Sequence, residues 1–113
     1  MTTTTVATMT PPGVDARTLR ERLDRGEPIK IIDVRTPAEF GGGHIPQAQH
    51  IPLDSILARP RDVLRADNVI FVCQVGQRSA LAAEMAAAVG MKTLYNLEGG
   101  TDAWMRAGYP VSK

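Results

Sequence analysis

The sequence predicts an α/β domain with a largely parallel sheet and helices on both faces. Three observations carry this. Short β-branched and apolar runs recur at residues 29–34, 69–72 and 92–97, and the first is apolar on both sides, as a strand covered by helices is. Segments with helical spacing or composition fall between these runs, so strands and helices alternate along the chain. Glycine and proline punctuate the joints.

The elements follow in chain order. Residues 1–13 are rich in threonine and end in Pro11-Pro12-Gly13; with no periodicity and little to bury, they read as a flexible tail ahead of a domain over residues 14–113. Residues 14–25 read as a helix with Asp15 as N-cap; Ala16, Leu19 and Leu23 share a face and Gly26 supplies the stop. In the strand that follows, Asp33 interrupts an apolar run, and a buried carboxylate needs a partner. Arg35, two residues on, points to the same side, so the two read either as an internal ion pair that orders a loop or as groups of the site itself. Thr36-Pro37-Ala38-Glu39 has the pattern of a capping box with proline in the first turn, so a short helix starts there. Residues 48–52 form a short strand, with two short helical stretches over 53–57 and 61–66. His44 reads as structural and His50 as a surface or turn residue. Neither has a second ligand at metal-binding spacing. Residues 78–89 are strong helix formers, with Leu81, Met85 and Val89 as the expected buried line and Gly90 as the stop. A last strand over 92–97, a Glu98-Gly99-Gly100 turn and a short helix carrying Trp104 as a packing anchor complete the chain.

Composition narrows the function. A chain of 113 residues is one small domain able to bury about two thirds of its unfolded surface. Its 13 basic and 12 acidic side chains nearly cancel, which argues against nucleic acid or an anionic membrane as partner. No apolar run approaches the roughly 20 residues of a membrane span, and the N-terminus has no signal-peptide pattern. The single cysteine excludes an internal disulfide and a dithiol site, and it fits a reducing cytoplasmic setting.

That cysteine is the centre of interest. Cys73 follows the central strand and opens the loop Cys73-Gln74-Val75-Gly76-Gln77-Arg78, after which a helix begins. In open parallel sheets ligands bind beyond the carboxyl ends of the strands. The helix start attracts anions, and a loop carrying Gly76 can curl its N–H groups around the sulfur. A free thiol of pKa about 8.5 is only about 3% thiolate at pH 7. Lowering that pKa by two units takes about 2.7 kcal/mol, and a helix dipole contributes roughly 0.3–1 kcal/mol. Loop N–H donors and Arg78 are therefore expected to supply the remainder. Arginine at a helix N-terminus opposes the dipole, so Arg78 reads either as the partner of a bound anion or as a solvated surface side chain.

Several motifs in order resemble the rhodanese family. They are Ile32-Asp33-Val34-Arg35 with Glu39-Phe40; Gly43-His44-Ile45-Pro46 with Ile51-Pro52; the loop from Cys73 to Arg78 with Ser79; and Asn96-Leu97-Glu98-Gly99-Gly100 with Trp104, Gly108, Tyr109 and Pro110. Gln47 and His50 depart from the usual glycine and asparagine of that pattern, away from the loop. The resemblance implies a single rhodanese-like domain with a central parallel five-stranded sheet. It implies a sulfurtransferase that moves a sulfane sulfur from a small anionic donor such as thiosulfate to cyanide, a thiol or a protein acceptor, through a Cys73 persulfide and without cofactor or metal. On the same grounds Gln74, Val75, Gly76, Gln77 and Arg78 would bind the substrate, with Asp33 and Arg35 in support. A phosphatase is the nearest enzymatic rival, but phosphatase loops place arginine six residues after the cysteine, and Arg78 comes five after Cys73. The motifs also leave open an arsenate reductase of the same fold, a persulfide carrier and a non-catalytic binding module. Binding modules of this kind commonly lack the cysteine.

Overall fold

The computed structural model describes residues 11–64 and 67–113. Four strands form the body of the sheet: β2 (Lys30–Asp33), β3 (Ala48–His50), β4 (Val69–Val72) and β5 (Leu94–Leu97). A fifth, β1 (Gly13–Val14), adds to the edge, and the order is β1-β5-β4-β2-β3 with every pairing parallel. The helices are α1 (Ala16–Asp24), α2 (Pro37–Gly41), α3 (Leu53–Ala58), α4 (Pro60–Val63), α5 (Gln77–Ala88) and α6 (Gly100–Arg106). Among the described residues, no helix is long and apolar enough to cross a membrane.

The alternation of side chains along a strand sorts the core into two layers. Ile31, Ile70, Val72 and Leu97 pack with Leu19 of α1 and Trp104 of α6 on one face. Ile32, Phe71 and Cys73 pack with Ile56 of α3 and the alanines of α5 on the other. Central β4 is buried along its whole length. Each large side chain buried there contributes roughly 1.5–3 kcal/mol. Trp104 is fully buried and its indole N–H donates to Pro110 O at 2.8 Å, as expected of an anchor.

The fold departs from the sequence reading at three places. Val14 is a strand residue, not the start of a helix, and Gly13 pairs beside it within the stretch read as tail. Asn96 N donates to Pro12 O at 3.0 Å to continue the pairing. A two-residue edge strand is too short to show any periodicity, so nothing in the sequence marks it. The rest of the expected tail, residues 1–10, lies outside the described residues, as do residues 65–66 at the end of the second short helical stretch.

The second departure concerns α5. Leu81 is 43% exposed, while Ser79, Ala82, Ala83 and Ala86 are fully buried; Met85 and Val89 pack only partly against the core. Positions 79, 82, 83 and 86 form one helical stripe. Small side chains let the helix lie close on β4 and β5, and the leucine is turned away. Third, His50 is not a surface or turn residue. It lies in β3, its Nε2–H donates to Arg35 O at 2.7 Å, and its ring stacks on Phe40. His44 stacks on the same Phe40 and donates from Nδ1 to Phe40 O at 2.8 Å, a structural role as expected.

Candidate active site

Cys73 sits where β4 ends, with 1% of its surface exposed. Its Sγ accepts the Gly76 N–H at 3.0 Å and lies 3.2 Å from the Ser79 hydroxyl. Gly76 caps α5 at φ +113, a backbone conformation that glycine adopts without strain. The turn it makes brings the chain back over the sulfur.

What aims the loop N–H groups inward is the grip on its carbonyls from behind. Cys73 O accepts from Thr101 N at 2.9 Å and Thr101 Oγ1 at 3.1 Å, and Gln74 O accepts from Asp102 N at 3.1 Å. These donors belong to the first turn of α6. Peptide planes whose carbonyls are pulled toward α6 present their N–H groups to the opposite side. The close approach needs Gly100, which has φ +59; a Cβ there would stand 2.5 Å from both carbonyl oxygens.

A buried polar chain holds Gln74 as well. Arg35, 2% exposed, donates from Nε to Asp33 Oδ1 at 2.9 Å and from Nη2 to Asp33 Oδ2 at 2.8 Å. It also donates from Nη2 to Gly43 O at 2.8 Å and from Nη1 to Gln74 Oε1 at 3.0 Å. Gln74 Nε2 in turn donates to Asp102. The expected Asp33–Arg35 pair therefore reaches the loop through the side chain of Gln74 and ties β2 to α6 across it.

The electrostatics of the thiol follow from these contacts. Burial pushes the Cys73 thiol up. Hydrogen bonds from the Ser79 hydroxyl and from the N–H groups of Ser79, Gly76 and Val75 outweigh it and hold the thiol below its ordinary value. The loop N–H donors behave as expected, while Ser79 is a donor that spacing alone did not single out. Its single hydroxyl proton is shared between two acceptors, Cys73 Sγ and Asn96 Oδ1, and Asn96 Nδ2 donates to Gly76 O at 3.0 Å. Asn96 thus fixes both Gly76 and Ser79. A signal for Ser79 existed in its position six residues after Cys73, within the first turn of a helix that begins beside the sulfur.

Arg78 differs from expectation in its partner. The anion beside it is a carboxylate of the chain itself: Nη1 and Nη2 donate to Glu39 Oε1 and Oε2 at 2.9 and 3.0 Å. Glu39 completes the expected capping box of α2, accepting the Thr36 N–H at 3.0 Å. Arg78 stabilises the Glu39 carboxylate, with the Thr36 N–H, and holds its pKa at about 2. Val75 and Gln77 place their side chains toward solvent, Val75 with 53% exposure. Among the described residues, no three of His, Cys, Asp or Glu gather where they could hold a metal ion.

A lone cysteine sulfur facing inward N–H groups, at the carboxyl edge of a parallel sheet, defines a class of thiol nucleophile in an anion cradle. Comparison with known proteins assigns this chain within that class. Residues 15–107 match the family model of the rhodanese-like domain, and the chain belongs to that family. It is 35% identical over 98 residues to a protein of Allochromatium vinosum named as a sulfurtransferase, covering 87% of this chain and 92% of that one. It is 30% identical over 93 residues to the Bacillus subtilis protein YrkF, covering 82% of this chain and half the length of that relative. The crystal structure of a rhodanese-related protein from Thermoplasma volcanium superposes with a TM-score of 0.78 at 29% identity, covering 89% of this chain and 97% of that one. The five-stranded α/β architecture and the sulfurtransferase class are thus family properties of this chain.

Proposed function

We propose that the protein transfers a sulfane sulfur from a donor such as thiosulfate to a thiophilic acceptor through a persulfide on Cys73. The observation that carries this reading is the sulfur itself. It lies at the floor of a loop whose N–H groups and a serine hydroxyl lower its pKa. A lowered pKa raises the thiolate fraction at any given pH below it, and thiolate is the attacking species.

With thiosulfate, the Cys73 thiolate attacks the outer sulfur. The Sγ–S bond forms as the donor's S–S bond breaks, and the electron pair leaves with sulfite. The persulfide anion now occupies the cradle, and the inward N–H groups hold its charge. Cyanide, a thiol or a protein acceptor then attacks the outer sulfur, giving thiocyanate, a persulfide or a persulfidated protein, and Cys73 returns as thiolate. One cysteine suffices because the second nucleophile arrives from outside. The almost fully covered sulfur suits a slim terminal sulfur atom better than a tetrahedral phosphate. A reducing compartment such as the cytoplasm keeps the lone thiol in its working form.

Intact-protein mass spectrometry tests the proposal. Thiosulfate should make the wild type one sulfur atom heavier, cyanide should reverse the gain with release of thiocyanate, and Cys73→Ser should do neither. An unchanged wild-type mass with several sulfur donors, while the thiol titrates as free, would falsify it. Hydrolysis of an aryl phosphate without mass gain would favour a phosphatase.

A further inference from the structure

We infer that Glu39 is a specificity-determining residue that, by occupying Arg78, disfavours dianionic sulfur donors and turns the site toward alkyl persulfides. The inference rests on the sulfurtransferase reading and extends it to the class of donor.

The geometry at Arg78 is the starting point. Both of its terminal nitrogens are engaged, one to each oxygen of the Glu39 carboxylate. That is the face an incoming sulfonate would use, since a guanidinium binds such a group through two parallel N–H donors. Glu39 cannot swing aside freely, because its Oε1 also accepts from the N–H and hydroxyl of Thr36. The pair is partly open to solvent, with 38% of the Arg78 side chain and 33% of the Glu39 side chain exposed, so a donor meets it from outside.

The surroundings do not replace the lost positive charge. The other guanidinium, Arg35, is buried against Asp33. Arg78 and Arg35 line a cavity of about 180 Å³ together with Asp54, and each arginine is already paired with a carboxylate. Asp102 binds Gln74 in the loop. Two guanidiniums are therefore set among four carboxylates. Thiosulfate brings two negative charges to these groups, whereas an alkyl persulfide brings at most one. The transfer balances without an added redox partner. The Cys73 thiolate attacks the outer sulfur of R–S–SH, the Sγ–S bond forms, and the donor's S–S bond breaks. The electron pair leaves as R–S⁻, and the proton remains on the transferred sulfur.

The test is single-turnover persulfidation of Cys73, read by intact mass over a range of donor concentrations, in wild type and Glu39→Gln. Glutamine also serves at this position of a capping box, so α2 keeps its start. The donors are thiosulfate, the persulfide of mercaptoethanol, which carries no charge beyond its terminal sulfur, and a persulfidated cysteine in a neutral peptide. Whichever persulfide reacts faster names a free or a protein-borne source. In wild type both persulfides should outperform thiosulfate. Removing one charge about 6 Å from a dianion in water shifts its binding by about tenfold. Glu39→Gln should therefore move the thiosulfate-to-persulfide ratio about tenfold toward thiosulfate, through the half-saturating concentration and not the maximal rate. A wild type that prefers thiosulfate, a ratio within twofold of wild type in the variant, or a change confined to the maximal rate would each overturn the inference. Absence of mass gain with all three donors in wild type would remove the sulfurtransferase reading as well, which separates the two failures.

Discussion

Ser79→Ala tests the account of how the thiol is tuned. The substitution deletes one hydroxyl 3.2 Å from Cys73 Sγ and leaves the N–H donors of Val75, Gly76 and Ser79 in place. A hydrogen bond to a charged acceptor contributes about 1.5–3 kcal/mol. The lower end applies here, because the distance is long and the hydroxyl is shared with Asn96. A loss of about 1.4 kcal/mol lowers the thiolate population about tenfold below the midpoint. A more basic thiolate is also a better nucleophile, with a Brønsted slope of about 0.4–0.5, which returns about threefold. The alkylation rate with iodoacetamide should thus fall about threefold on the acid limb, rise about threefold on the alkaline plateau, and cross the wild-type curve between them. A damaged loop would slow the reaction at every pH. Curves that superpose, or that fall together without crossing, would refute the claim that the Ser79 hydroxyl stabilises the thiolate. The same tuning has a sign in stability. Since the folded thiol titrates below the unfolded one, its contribution is present above the unfolded pKa and is lost as pH falls through the folded pKa.

Two further substitutions probe the frame around the loop. Gly100→Ala places a methyl group against the carbonyls of Cys73 and Gln74 at a backbone angle unsuited to alanine; it should cost about 1–3 kcal/mol in urea unfolding and slow Cys73 alkylation, and a variant as stable and as reactive as wild type would contradict the gripping role of α6. Asp33→Asn leaves the Arg35 guanidinium buried without its counter-charge; breaking such a pair costs about 3–5 kcal/mol, and a loss under about 1 kcal/mol would show that the pair does not brace the site.

The sequence carried the strand–helix alternation, the loop after the central strand and the capping box at Thr36, because each has a local signal of period, position or residue type. The Asp33–Arg35 pair was also legible, since two residues apart on an extended chain share a side. What escaped was set by packing or by distance along the chain. The buried face of α5 is written in alanines, which carry little hydrophobic signal beside Leu81, yet close approach to the sheet favours the smaller residues. Gly13–Val14 forms a strand only because the edge of β5 is there to receive it. Arg78 signalled a nearby anion, but that the anion is Glu39, 39 residues earlier, required the fold. Asn96 stands in one of the family motifs, but that its amide lies between Gly76 and Ser79 required the fold.

The threading of the sheet also sets a timetable. The first strand finds its sheet partner in the last, and the carbonyl of Cys73 is gripped by Thr101, 28 residues further along the chain. At a synthesis rate of roughly 5–20 residues per second, Cys73 is made roughly 1.5–6 s before the residue that orients its loop. Through that interval the cysteine belongs to a growing chain and has the chemistry of an ordinary thiol. The grip of α6 on the loop carbonyls can therefore form only after the residues of β5, which fill the sheet between β4 and β1, have been made.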